Sequence, residues 1–196
     1  MYTGLLIFLL SFNIYASKAF LPPSFSAELE QSHKSSITGK VKSSKGKIYF
    51  QDPSKLRIEF AEPNQTVFVS NKTKTWYYRA PLIQGEKGEL RIEEKGNTEL
   101  SKFFDLIKKG LSSNDQYDVI GKGKIQTLVF KEATAKQVGF LEAELLFKNE
   151  KDLSFADLEN MKIKKLDGQS IDLKFSKLDI GAPLKADLFQ FVVPPN

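Results

Sequence analysis

His33 is the only histidine, and the chain contains no cysteine. These two facts limit the chemistry before any fold is considered. A histidine-based metal site needs further ligands, and thiolate sites, thiol nucleophiles and disulfides have no sulfur to draw on. A catalytic triad around His33 would need a nucleophile segment, and no G-x-S-x-G occurs. Gly121-Lys122-Gly123-Lys124 has the composition of a phosphate cradle, but a strand pattern follows it where a helix N-terminus is required. The stretch from Gly39 to Lys47 misses P-loop spacing and places Ile48 where Ser or Thr is needed. Carboxylates alternate with cations, as in Arg91-Ile92-Glu93-Glu94-Lys95, which is the pattern of a solvated strand face rather than of an acid/base pair. The reading is a protein that is not an enzyme and uses no metal or cofactor. As a lone His on a mostly polar segment, His33 is expected to be solvated.

What the sequence does supply is apolar surface. It holds 16 Phe, 6 Tyr and one Trp in 196 residues, and a sheet carrying that many rings must cover one face with something. The segment Lys55–Tyr78 shows the pattern. Leu56, Ile58 and Phe60 alternate with Arg57 and Glu59, so one face is buried and the other wet. Ile48 and Phe50 do the same one strand earlier. Asp52-Pro53 and Glu62-Pro63 punctuate these strands, and "TVFVS" and "TWYYR" continue an antiparallel meander. From Thr98 the period changes: Leu100, Phe103, Phe104, Ile107 and Leu111 recur at helical spacing, with Thr98 as N-cap and Gly110 as terminator. Further strands follow, with a hairpin turn at Asp167-Gly168 and a helical turn within Leu153–Leu158. A short helix is also predicted over Ser24–Ser35, capped by Ser24 and made amphipathic by Phe25 and Leu29. The expectation is about ten strands with two or three short helices laid against them.

The N-terminus reads as an address. Leu5–Ile14 is too short to span a bilayer and has the length of a signal-peptide core, with Ser17 and Ala19 as the small residues before a cleavage site. Residues 1–19 are therefore expected to be a cleaved signal peptide and residues 20–196 a single domain. The net charge of +5 is dispersed, with its densest stretch at Lys40–Lys47. This excess suits acidic surfaces or partners and does not single out nucleic acid. The sequons at Asn64 and Asn71 are read as turn chemistry.

Taken in order, these elements resemble a known family. "GKIYFQDPSKLRIEFAEPNQTVFVSNKTKTWYYRAPLIQGEK" is similar to the outer-membrane lipoprotein carrier proteins, the periplasmic lipoprotein chaperones known as LolA. The residues that carry the likeness are Gly46, Ile48, Phe50, Pro53, Leu56-Arg57-Ile58, Phe60, Pro63, Gln65, Val67, Val69-Ser70-Asn71-Lys72, Trp76 and Tyr78. The ending "KLDGQSIDLKFSKLDIGAPLKADLFQFVVPPN" fits as well, so the likeness runs from Phe25 to Pro195.

The resemblance implies a mainly β fold: a strongly curved antiparallel sheet, an incomplete, open β-barrel, with two or three short α-helices forming a lid over an apolar cavity. It implies a monomeric carrier that holds the acyl chains of lipoproteins. Such a carrier passes them from an inner-membrane ABC transporter complex to an outer-membrane lipoprotein receptor, in the periplasm of a Gram-negative bacterium. On this reading Ile48, Phe50, Leu56, Ile58, Phe60, Val67, Val69, Trp76 and Tyr78 line the cavity, and Phe103, Phe104 and Ile107 form the underside of the lid. The family often has a basic residue before the first strand-breaking proline, and here Asp52 stands there. Asp52 and Arg57 are thus the candidates for lid control. Two alternatives use the same scaffold: a carrier of free lipids or glycolipids, and a non-transporting envelope sensor or binding module.

Overall fold

The computed structural model describes residues 19–194 except 36, 37, 84, 97, 152 and 182. The signal-peptide reading, apart from Ala19, lies outside the described residues. Eleven strands form one antiparallel sheet in the order β6-β5-β4-β3-β2-β1-β11-β10-β9-β8-β7. The first run is β1 (Ser24–Lys34), β2 (Val41–Gln51), β3 (Lys55–Glu62), β4 (Thr66–Ser70), β5 (Thr75–Arg79) and β6 (Glu89–Glu93). The helix α1 (Glu99–Ile107) follows. The second run is β7 (Tyr117–Lys122), β8 (Ile125–Phe130), α2 (Glu132–Val138), β9 (Phe140–Phe147), β10 (Leu158–Lys165) and β11 (Ser170–Ile180).

The connectivity explains the shape. Each run is a meander in which chain neighbours pair, and pairing of β1 with β11 joins the two runs. β6 and β7 are consequently the two free edges. The chain passes from one edge to the other through α1, which lies on the inner face against Phe25 of β1 and Phe50 of β2. A register shift between Ser26 and Glu28, opposite the left-handed Lys177, adds local twist at the join.

Register assigns the faces. Ala27, Ile48, Ile58, Phe68, Tyr77 and Arg91 lie in one row across six strands, on the inner face that meets the helices. The neighbouring row Tyr49, Arg57, Val69, Trp76 and Ile92 lies on the outer face. The alternation of Leu56 and Ile58 with Arg57 and Glu59 is the sequence form of this arrangement. Thr98 caps α1 by accepting from the Ser101 backbone N–H at 3.2 Å, and Gly110 adopts a φ of 91° just beyond the helix. A single 3₁₀ turn occupies Phe155–Asp157, inside the segment read as a helical turn.

Two elements differ from their expectations: α2 (Glu132–Val138) forms between two strands where no helix was predicted, and the first predicted helix is a strand. Ser24–Lys34 is strand β1, not a helix. Phe25, Ala27 and Leu29 are all buried, and that spacing is two, not 3.6. β1 is also the central strand of the sheet, paired to β2 along its whole length and to β11 on its other side. Long-range pairing on both edges outweighs a local N-cap signal.

Candidate functional site

The inner face divides into two parts. At the end of the sheet near Phe25, α1 and α2 pack directly on the strands. Phe104 stands 5.5 Å from Phe25 and 5.3 Å from Phe50, ring centre to ring centre, and Phe103 is 5.6 Å from Phe104. Phe103, Phe104 and Ile107 are fully buried, as are Phe25, Phe50 and Leu56 beneath them. The helical period placed these side chains on the underside of α1, and ring packing at these separations leaves no usable void.

Beyond the first turn of α1 the helices stop and the sheet continues. The inner face there is an open cavity of about 970 Å³. Its floor is apolar: Leu29, Ile48, Ile58, Phe60 and Phe68 from the first run of strands, and Phe140, Ile163, Ile171 and Leu173 from the second. Leu100 of α1 and the exposed Leu82 stand at its edge. The size lies near the top of the range for small-molecule cavities, and the lining suits an aliphatic guest.

The predicted cavity residues therefore separate into three groups. Ile48, Ile58 and Phe60 line the void. Phe50, Leu56, Phe103, Phe104 and Ile107 lie in the packed half. Val67, Val69, Trp76 and Tyr78 lie on the outer face, in a separate apolar cluster with Ala80 and Phe191. The correction has a clear physical origin. "VFV" offers an apolar side chain in either register, and Phe60 pairs with Thr66, so Phe68 turns inward and Val67 and Val69 outward. The outer face tolerates them because the C-terminal segment covers it: Phe191 lies 5.8 Å from Tyr78, and Phe189 is buried.

Arg57 holds that segment in place rather than touching α1. Its Nη1 donates to the backbone carbonyls of Leu188 at 3.0 Å and Gln190 at 3.3 Å, and its Nε pairs with Glu59. Asp52 does reach the helix. It accepts from Lys108 Nζ, which also pairs with Asp105 at 2.9 Å, and Ser54 Oγ donates to the other Asp105 oxygen. The β2–β3 turn and the end of α1 are thus tied by a four-residue polar latch. Burial opposes the charge on Lys108, but the hydrogen bonds it donates to Asp52 and Asp105 outweigh that and raise the amine above its ordinary value.

Several lining residues were not anticipated. Leu29 and the polar Gln31 and His33 belong to β1, whose period was misread; His33 is exposed, as expected, but stands at the cavity mouth. Ile163, Ile171 and Leu173 alternate visibly within "MKIKK" and "SIDLKF", yet only the closure of β11 on β1 brings them to the same floor. Among the described residues there is no His, Asp or Glu cluster suited to a metal ion, and no helix is long and apolar enough to cross a membrane.

The chain is similar to known proteins over most of its length. A family model described as outer membrane lipoprotein carrier protein LolA matches residues 23–192. The outer-membrane lipoprotein carrier protein of Photobacterium profundum is 25% identical over 179 residues, spanning 91% of this chain and 83% of that protein. Its namesake in Vibrio parahaemolyticus is 30% identical over 173 residues, spanning 87% and 76%. Among solved structures, a LolA superfamily protein from Nitrosomonas europaea aligns with a TM-score of 0.46 at 9% identity, covering 89% of this chain and 93% of that one.

Proposed function

The chain belongs to the LolA family of outer membrane lipoprotein carrier proteins, and we propose that it binds lipoproteins by their acyl chains in the open half of the inner face. On this proposal the mature chain, released from residues 1–19, works as a monomer in the periplasm of a Gram-negative bacterium. It takes cargo from an inner-membrane ABC transporter complex and yields it to an outer-membrane lipoprotein receptor. It is a binding protein, not an enzyme, and any nucleotide is spent by the partner complex.

The observation that carries the proposal is the cavity of about 970 Å³ whose apolar floor α1 and α2 leave uncovered. A monomer exposes such a surface at a cost in aggregation unless it serves a ligand. Each methylene taken out of water contributes about 0.8 kcal/mol, so an acyl chain binds through length rather than through any one contact. Because β6 and β7 are free edges and α1 lies on the inner face outside the strand ladder, tilting α1 widens the cavity without breaking a strand pair. The latch at Asp52 and Lys108 opposes that tilt, and the net affinity is kept moderate enough for release to a better acceptor.

The test is native mass spectrometry with lipid extraction on mature protein purified from an envelope fraction. Co-purification of a triacylated lipoprotein or its acylated N-terminal peptide is the expected result. Phospholipid or glycolipid alone would replace the lipoprotein reading with a free-lipid carrier. An empty protein that also takes up no hydrophobic probe would leave a sensor or binding module.

A further inference from the structure

The two free edges of the sheet are finished differently. β7 is covered by its own chain. Its hairpin with β8 turns the backbone groups of Tyr117 and Val119 toward the edge, and the residues just before the strand meet them. Asn114 donates its N–H to the Tyr117 carbonyl at 2.9 Å and accepts from the Tyr117 N–H through Oδ1 at 3.3 Å, and Ser113 Oγ accepts from the Val119 N–H at 2.8 Å. β6 has no such cover. The bonds from Asn71 N–H to the Lys74 carbonyl and from Ala80 N–H to the Gln65 carbonyl fix the alternation along β5: Trp76 and Tyr78 bond to β4, so Thr75, Tyr77 and Arg79 bond to Glu93, Arg91 and Glu89 of β6. The N–H and C=O groups of Leu90 and Ile92 therefore point outward, and no hydrogen bond reaches them among the described residues. The strand also lacks the proline and the bulge that commonly blunt an edge.

The side chains give this edge a code. Glu89, Arg91 and Glu93 lie on the inner face with Tyr77, while Leu90 and Ile92 lie on the outer face beside Tyr78 and Trp76, 41% and 51% exposed. An incoming strand meets a row of alternating charge on one side and an aliphatic pair on the other. A second copy of β6 fits poorly. In the antiparallel register that uses all five residues, Glu89 faces Glu93 at both ends and Arg91 faces Arg91. Moving the register by two residues brings unlike charges together but leaves only residues 89–91 or 91–93 of each strand overlapping. A different strand with the opposite charges uses the whole edge.

We propose that β6 is a docking edge for an extended segment of another protein, one that alternates basic, apolar, acidic, apolar and basic residues and adds antiparallel to the sheet. Its two cations stand opposite Glu89 and Glu93, its carboxylate opposite Arg91, and its aliphatic side chains beside Leu90 and Ile92. Backbone bonds to Leu90 and Ile92 supply the attachment, and the charge row decides which segment fits. Glu93 also lines the cavity, so the docked segment lies at its rim, where a partner that loads or empties the cavity has to stand. The inference rests on the edge itself and does not require the cargo to be a lipoprotein.

The experiment measures fluorescence anisotropy of two dye-labelled peptides, Thr-Lys-Val-Glu-Val-Lys-Thr and its charge-swapped form Thr-Glu-Val-Lys-Val-Glu-Thr, titrated with the mature protein. The first is expected to bind about tenfold tighter. Its binding should slow amide exchange at Leu90 and Ile92 and leave β7 unchanged. Ile92→Pro removes an outward N–H without touching the ladder to β5, so binding should be lost while the protein stays folded. The triple variant Glu89→Lys/Arg91→Glu/Glu93→Lys should reverse the preference between the peptides, which a misfolded protein cannot do. Binding of neither peptide, equal affinity for both, or a preference that survives the triple variant would overturn the inference. So would protection confined to the cavity floor at Leu173, or a dimer in sedimentation that Ile92→Pro dissolves, since the edge would then serve a second copy. None of these results touches the carrier reading, which stands or falls with the lipid extraction.

Discussion

Replacing Lys108 with Met removes the charge that ties α1 to the β2–β3 turn while keeping most of the side chain's bulk. The structure sets the size of the effect. Lys108 is 27% exposed and Asp52 39%, so their pair is neither dry nor fully solvated. Exposed ion pairs are worth about 0.2–1 kcal/mol, and a lysine shared by two carboxylates belongs at the top of that range. Its removal also leaves Asp52 and Asp105 facing each other, so the expected cost is about 1–2 kcal/mol. The apolar underside of α1 is the larger contribution. Phe103, Phe104 and Ile107 are fully buried, and each is worth about 1.5–3 kcal/mol at most. The variant should therefore remain folded, with a Tm lower by roughly 3–6 °C. Amide exchange should accelerate in α1 and much less in β9 and β10. If the closed helix competes with cargo, a lid loosened by about 1 kcal/mol binds an acyl probe about fivefold tighter. Asp52→Asn should reproduce most of the effect, and the double variant should add little to either single one. Unchanged exchange in α1 and unchanged probe affinity would refute the latch. A loss above about 4 kcal/mol would mean that the network builds the fold and does not regulate a lid.

Opposite faces of β4 offer a paired comparison: Phe68→Glu should abolish uptake of an acyl probe at modest cost in stability, whereas Val69→Glu should destabilise the fold by several kcal/mol, since Val69 is fully buried beneath the C-terminal segment. Equal effects on the two assays would contradict the assignment of faces. Arg57→Ala should free the C-terminal segment, read as faster proteolysis near Phe191, with probe affinity unchanged. Gly46→Ala should cost about 1–3 kcal/mol, because its Cβ would stand 1.8 Å from the Glu59 carbonyl oxygen, and urea denaturation measures it. The latch should not respond to pH near neutrality. The Lys108 amine is raised in the folded state, so its contribution is complete below the ordinary lysine value of about 10.4 and is lost only as pH rises through the higher folded value. Loss of the α1 exchange protection at mildly acidic pH, with Lys108 intact, would contradict this.

The strands and α1 were legible because each carries its own period. Leu56, Ile58 and Phe60 state a half-buried strand without help from the rest of the chain, and Thr98 with Phe103, Phe104 and Ile107 states a capped helix. The faces of β4 and β5 were not legible, because "TVFVS" and "TWYYR" place large apolar groups at consecutive positions. Only the Phe60–Thr66 pairing decides which of them turn inward. β1 was misread because Ser24 is a good N-cap by composition and the segment after Leu29 is polar. Its buried spacing of two at Phe25, Ala27 and Leu29 was the competing signal. The floor contributed by β10 and β11 depends on contacts between residues over a hundred positions apart, such as Leu29 with Phe175, and no local pattern encodes these. Lys108 as the partner of Asp52 is of the same kind, since the two meet only once α1 lies across the sheet.

An open seam has to be maintained against the tendency of sheet edges to pair. β6 does this with its composition: Glu89, Arg91 and Glu93 alternate with Leu90 and Ile92, and all five residues are exposed. The other edge, β7, carries Gly121, a residue that weakens a strand interior. If these edges paired, the inner face would become the sealed core of a barrel and α1 would have no place. Charge on β6 thus preserves the opening, and the passage of the chain through α1 fills only half of the surface so exposed. The open seam leaves Ile58, Phe68 and Leu173 lining a cavity in place of a sealed core.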